Sequence, residues 1–466
     1  MKLKIPCCLL LVCSLVSAQA PPSGEEHAQH QHTPPPAQEQ PKPPDQQKKK
    51  EEAPPQKPPQ AKPEHPHEAM AGMEQAAKPA REPHRMASGT AWQPDSTPAY
   101  MWMTERAQWT LMAHGNLFLT FNHQGGPRGA GKFESMNWAM FMEQRRLGRG
   151  TIELRQMFSA EALTAPHPGF PQLFQTGEAY HNQPLVDHQH PHDVFGEISV
   201  LYSVPITKKV SWHIYGAPAG EPALGPVAFM HRGSAGEIPA APLSHHLQDA
   251  THITAGVITT GLTVGRVRGE VSLFNGREPD QVRHTIDFGP LDSWSARLSV
   301  RPSKDWSLQY SYGHIHDQEI HAGEPGDTDR QTASVSYNRP FASGNWATSL
   351  LWGRNHKQLE NTTQNSYLLE SVVNFKAKNY VYTRLELVDK DELFPALPPP
   401  RPQFRVGGYT FGGIRDLVQN SKMQMGVGAD VTFYAKPAAL DAVYGENPVG
   451  VRIFLRLRPG RMEHHH

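Results

Sequence analysis

The densest chemistry in the chain is the run Asp187-His188-Gln189-His190-Pro191-His192-Asp193. His181 precedes it, and His167 lies earlier in the same stretch. A second stretch carries His231, His245, His246, Asp249 and His252. Imidazole and carboxylate suit zinc, copper or nickel, and histidines at alternate positions of an extended chain share a face. The ligand set this predicts is His181, His188, His190, His192, Asp193, His245, His246 and His252, holding copper or zinc. The same residues would also serve, with no cofactor at all, as hydrogen-bonding groups that knit the loops into a plug. Neither CxxC nor HExxH spacing is present to decide. Protonation of such a cluster at about pH 6 would gate the loop.

Ser244-His245-His246, with Asp249 and His252, supplies a nucleophile, bases and an acid in one segment. That is the material of a lipid-modifying barrel enzyme, but no Gly-x-Ser-x-Gly elbow accompanies it. Serine beside histidine in a polar loop is ordinary, and the expectation is a protein that is not an enzyme. A third set is charged and recurs at alternate positions: Arg155, Arg268, Glu270, Arg297, Arg301, Glu370, Arg384, Glu386, Arg452 and Arg456. Facing Arg and Glu would line a bore and set its ion selectivity. They would equally pair to fill a closed one.

The elements that carry these residues are strands. Met423, Met425, Val427, Ala429, Val431 and Phe433 share one face, against Gln424, Gly426, Gly428, Asp430 and Thr432. Val451, Ile453, Leu455 and Leu457 likewise oppose Arg452, Phe454, Arg456 and Arg458. An apolar face against a polar one suits a barrel wall with lipid outside. About sixteen such stretches, within a range of roughly 12–18, run from residues 110–123 to 449–459. Residues 253–264 and 404–415 fit either register. Connections alternate between short turns, such as Gly265-Arg266, and long segments, above all 164–193 and 224–252. Trp212, Trp306, Trp346 and Tyr380 open strands that follow short turns, and Trp109 opens the first strand, as an interfacial aromatic girdle would. The prediction is an all-β transmembrane antiparallel barrel over residues 101–461, with both termini periplasmic and the histidine loops outside.

Residues 1–18 read as a Sec-type signal peptide: Lys2 and Lys4, an apolar run from Cys7 to Val16, and small residues at Ser17 and Ala18. Cys7, Cys8 and Cys13 all lie within it, so the exported protein would have no thiol chemistry. Residues 19–100 are rich in Pro, Gln, Lys and His and read as a disordered periplasmic segment, lying along peptidoglycan or spanning the periplasm. The tail carries His27, His30, His32, His65 and His67, with Met70 and Met73, a thioether and imidazole set that suits copper and that reads equally as a solvated tether with scattered histidines. A net charge of zero argues against a nucleic-acid partner.

The signal, the alternating strands, the rhythm of turns and the final Val451-Arg452-Ile453-Phe454-Leu455-Arg456-Leu457-Arg458 strand resemble bacterial outer-membrane β-barrels of the porin-like type. The His/Met tail ahead of a barrel is similar in layout to copper-resistance outer-membrane proteins. These resemblances imply a Gram-negative outer-membrane location, lipid contact, and folding by the barrel-assembly machinery. Such barrels often end on an aromatic residue, whereas this chain continues to His466, so the machinery would read an internal signal near Phe454. The function they imply is a porin-like channel or transport barrel for small solutes or metal ions. The alternatives are a metal-binding, copper-resistance protein or a lipid-modifying enzyme.

Overall fold

The computed structural model describes residues 87–462, apart from 181, 182 and 324. The signal, the tail histidines, His181 and His464 to His466 lie outside the described residues. Within them the chain forms β1 (Met101–Arg106), β2 (Trp109–Gln124), β3 (Gly131–Glu134), β4 (Asn137–Leu147), β5 (Gly150–Phe158), β6 (Phe170–Tyr180) and β7 (Gln183–Gln189). There follow β8 (Phe195–Pro205), β9 (Val210–Gly220), β10 (Thr254–Val264), β11 (Val267–Phe274), β12 (Ser293–Val300) and β13 (Trp306–Ile315). The last are β14 (Thr328–Phe341), β15 (Gly344–Lys357), β16 (Thr362–Phe375), β17 (Asn379–Lys390), β18 (Phe404–Gln419), β19 (Met423–Ala435) and β20 (Val449–Pro459). Short helices α1 (Glu161–Thr164), α2 (His245–Gln248) and α3 (Asp441–Tyr444) lie in the long connections.

The wall is a closed antiparallel barrel of 16 strands, as predicted. β3 and β4 pair with the two halves of β2 and act as one wall strand broken at Ser135-Met136. β6 and β7 pair only with each other, as a separate hairpin. The seam has a composite edge. β20 pairs with the far half of β2, from Leu117↔Leu457 to Gln124↔Gly450. The near half of β2 pairs with β1, from Met101↔His114 to Arg106↔Trp109. A bridge between Tyr100 and Arg461 joins the two pieces.

Alternation places apolar side chains outward and polar ones inward. Val427, Phe433, Val451 and Ile453 are exposed on the outer face, while Gln424, Asp430, Arg452 and Arg456 are buried within. The ambiguous stretches have a physical reason. Val257 of β10 and Ile414 of β18 turn inward, where buried apolar clusters receive them instead of water. Trp212 and Trp306 face out as a girdle should, but Tyr380 does not. It shares inward parity with Arg384 and lies under Arg456, its ring 4.8 Å from the guanidinium carbon. An arginine at the middle of the outer band should be costly. Val271→Arg is expected to lower stability by about 2–4 kcal/mol, measured as an earlier urea midpoint in lipid vesicles.

The expectation of disorder over residues 19–100 ends too late in the chain. Residues 87–94 are buried against the inner wall. Gly89 and Ala87 offer carbonyls to Arg155 Nη1, Thr90 Oγ1 accepts from Arg297 at 2.8 Å, and Trp92 stacks 3.8 Å from the Arg301 guanidinium. Wall arginines thus satisfy the backbone of a segment too poor in apolar residues to order itself.

Candidate metal centre

Of the described residues, 159–180, 183–194 and 221–253 leave the long-loop end and fold into the bore. Their own apolar residues explain why: Leu173, Phe174, Phe229, Ile238, Leu243 and Leu247 are buried against the inner wall and neighbouring loops. Arg232 is the main electrostatic anchor. Its Nε donates to Glu370 of β16 at 2.8 Å, and its Nη1 to Asp249 at 3.0 Å and to the Val227 carbonyl at 2.8 Å. Arg384 of β17 donates to the Ala240 carbonyl at 2.7 Å, and Arg456 of β20 ion-pairs with Glu237.

Inside this packing the histidines converge. α2 presents His245 and His246, and its C-cap Asp249 stands four residues beyond His245, so the carboxylate reaches His245 Nδ1 at 2.7 Å. The turn Ala250–His252 brings His252 alongside, its Nδ1 donating to the Asp249 carbonyl at 2.8 Å. His192 arrives from the other segment, held by Glu161 of α1 through its backbone N–H at 3.0 Å and its Nδ1 at 2.8 Å. His192, His245 and His252 offer ligand atoms within 4.8 Å of one another, and so do His190, His245 and His246.

The first triad has the features of a metal site. Each Nδ1 is engaged by a carboxylate or carbonyl, which fixes its proton there and leaves Nε2 as the free donor. The Nε2 atoms of His192 and His252 are buried without a hydrogen-bond partner. His252 lies 5.2 Å from His192 and 5.1 Å from His245, centroid to centroid. Three imidazoles around one tetrahedral ion at about 2 Å would stand about 5 Å apart. Burial pushes His245 down to about 4 and His252 well below the ordinary imidazole value, so both rings are neutral and able to ligate. Burial also opposes charge on His192, but the Glu161 carboxylate outweighs it and raises that pKa. Asp249, despite burial, is held well below the carboxylate range by His245 and Arg232 and is a fixed anion.

The second triad is more acidic in its surroundings. His190 Nε2 stands 3.1 Å from Glu178, and His246 Nδ1 stands 3.5 Å from Glu278, where Glu319 completes a further group. Gly177 makes the approach of the β6–β7 hairpin feasible: its φ is +108°, and a Cβ there would lie 2.5 Å from the His246 ring. Nearer the rim, His316 pairs with Asp327 at 2.7 Å and Asp317 at 3.3 Å.

Of the predicted ligands, His190, His192, His245, His246 and His252 are brought together. His188 is not. Asp187 has a φ of 61° and β7 ends at Gln189, so the alternation breaks, and His188 Nδ1 lies 3.0 Å from the Val186 carbonyl. Asp193 is claimed instead by Arg283 at 3.4 Å. The partners Glu161, Glu178, Glu278 and Arg232, and the central Phe229, carry no local sequence signal.

The ten charged wall residues all face inward, but nine are buried beneath the infolded segments and do not line an open passage. Glu270–Arg297 and Glu370–Arg384 pair across neighbouring strands at 3.2 and 2.8 Å. Arg268 and Arg297 also meet Thr90, while Arg301 holds Asp95 at 2.6 Å. Glu386 accepts from the backbone and hydroxyl of Ser244 at 3.1 and 3.0 Å. Ser244 is therefore buried in the bore and bonded to a carboxylate and Gln248, without a lipid-facing position or an activating imidazole bond.

No protein-family model matches the chain, and no curated protein matches it. Solved outer-membrane proteins are similar in outline. An anion-selective porin from Comamonas acidovorans has 10% identity over 75% of this chain and 99% of its own, with a TM-score of 0.48. OmpT of Vibrio cholerae has 8% identity over 77% and 100%, with a TM-score of 0.44. The channel DcaP of Acinetobacter baumannii has 9% identity over 76% and 99%, with a TM-score of 0.42. The wall described above, apolar outside and polar within, makes this a 16-strand transmembrane β-barrel on its own evidence.

Proposed function

We propose that the protein is an outer-membrane transport barrel that takes a transition-metal ion, zinc foremost, past a histidine centre built by two infolded loops. The observation that carries this reading is the His192/His245/His252 triad, with every outward ring nitrogen oriented by a carboxylate or carbonyl. Such outer partners fix ligand geometry and raise basicity. Imidazole suits zinc, and buried neutral rings avoid the cost of displacing several protons. The acidic groups Glu278, Asp317 and Asp327 would draw a cation from the long-loop mouth toward the triad. A general solute porin needs an open constriction, whereas this bore is occupied by both loops and by residues 87–94.

Zinc titration of the full chain in detergent, followed by calorimetry, tests the reading. Wild type is expected to bind zinc at neutral pH, and His192→Ala/His245→Ala/His252→Ala is expected to lose that binding while keeping barrel mobility on unheated gels. A wild type that binds no zinc, or a triple variant that binds it equally, overturns the proposal. Zinc entry into vesicles carrying the protein is the transport readout, and its absence would reduce the protein to a metal binder.

A further inference from the structure

The inner face of β2, β4 and β5 is lined by methionines where most wall positions carry polar side chains. Register places Met101 of β1 opposite His114, His114 opposite Met140, and Met140 opposite Met157. One row nearer the short turns, Met112 faces Met142. All six side chains are buried inward, where the corresponding wall positions of β11–β14 carry Ser272, Ser295, Ser311 and Thr332. Directly opposed residues on one face bring their side chains into contact. The Nε2 of His114 is 3.1 Å from the Sδ of Met140, and its buried Nδ1 has no hydrogen-bond partner.

We propose that His114 and Met140, flanked by Met101 and Met157, form a second metal site, for a soft monovalent cation such as cuprous copper or silver. Thioether sulfur is a neutral, polarisable donor that selects such ions over zinc. An imidazole nitrogen and a thioether sulfur in contact have nearly the spacing of two ligands on one ion. The row is also joined to the histidine centre. The ring of His231 stands 5.7 Å from His114 and 4.5 Å from Trp138, and two residues earlier Phe229 stands 5.4 Å from His245. A cavity of about 90 Å³ opens beside Trp138, Met230 and His231 toward the short-turn end. The bore thus holds imidazole and carboxylate donors toward the long loops and thioether donors on the wall beyond.

Packing offers the competing account, since methionine fills irregular cores well. Leucine separates the two, because Leu for Met conserves volume and removes only the sulfur. The experiment is an anaerobic titration of the full chain with cuprous ion against a colorimetric chelator, repeated with silver. It is run on wild type, on Met140→Leu, on Met101→Leu/Met157→Leu, and on the triple histidine variant. Wild type and the triple histidine variant are expected to bind, with sulfur in the copper X-ray absorption spectrum. Met140→Leu is expected to weaken binding by more than the about 10–100-fold typical of losing an outer partner, while its barrel mobility on unheated gels stays at the wild-type value and shows that it has folded. Equal cuprous affinity in Met140→Leu, or no cuprous binding in the triple histidine variant, overturns the site. Loss of zinc binding alone leaves it standing, so the two proposals fail separately.

Discussion

Arg232→Ala is expected to raise single-channel conductance in planar bilayers and leave the barrel wall intact. Arg232 is buried, and it ties the 221–253 segment to β16 through Glu370 while neutralising Asp249 beside the histidines. Removing one partner of a buried pair typically costs about 3–5 kcal/mol, because the remaining charge is left uncompensated. Glu370 keeps Arg384 at 2.8 Å, so the wall retains its pairing. Asp249 has no comparable substitute: its other contact is the His245 ring, which burial keeps neutral. The penalty therefore falls on the loop. Limited proteolysis should cut within residues 221–253 of the variant and spare wild type, and zinc affinity should fall as His245 loses its orientation. Unchanged conductance with an unchanged cleavage pattern would remove Arg232 as the anchor.

The second large effect is on pH. Among the triad rings His192 has a raised pKa, whereas His245 and His252 are lowered. On acidification His192 takes up a proton first, on the nitrogen that would face the metal. Zinc affinity should be flat above the His192 pKa and fall about tenfold per pH unit below it, the slope of a single displaced proton. Glu161→Gln removes the carboxylate that outweighs burial, so the His192 pKa falls. The acid limb then moves to lower pH, while the plateau affinity drops by about 10–100-fold through loss of the outer partner. Calorimetry across a pH series gives both quantities. An acid limb that stays in place in Glu161→Gln would show that another proton controls the site.

The wall was legible because a period of two is written along each strand and every short turn repeats the count. The histidines were legible as residue types, but their arrangement was not. His192 meets Glu161 across 31 positions, and Arg232 meets Glu370 across 138, distances that no local pattern encodes. The infolding of the loops was hidden for a related reason. Phe229, Ile238, Leu243 and Leu247 are scattered among prolines and glycines with no period, so the segment reads like an exposed loop. Met140, Met142 and Met157 were overlooked because a rule of apolar outside and polar within assigns them no place; register alone sets them in rows beside His114. Tyr380 failed as a girdle residue through a parity visible in the sequence, since it stands in step with Tyr382, Arg384 and Glu386.

The composite seam bears on how the molecule can be built. A chain laid down as far as β20 would leave the near half of β2 with bare amides and carbonyls, because Leu457 is the last partner β20 supplies. Among the described residues Met101–Arg106 fills that gap, and the Met462 amide donates to the Ala99 carbonyl at 2.9 Å, a few residues beyond the buried stretch 87–94. The piece that closes the cylinder is thus the continuation of a segment held inside it, and a copy in which Met101–Arg106 fails to pair leaves the near half of β2 as an open edge, the feature that invites aggregation.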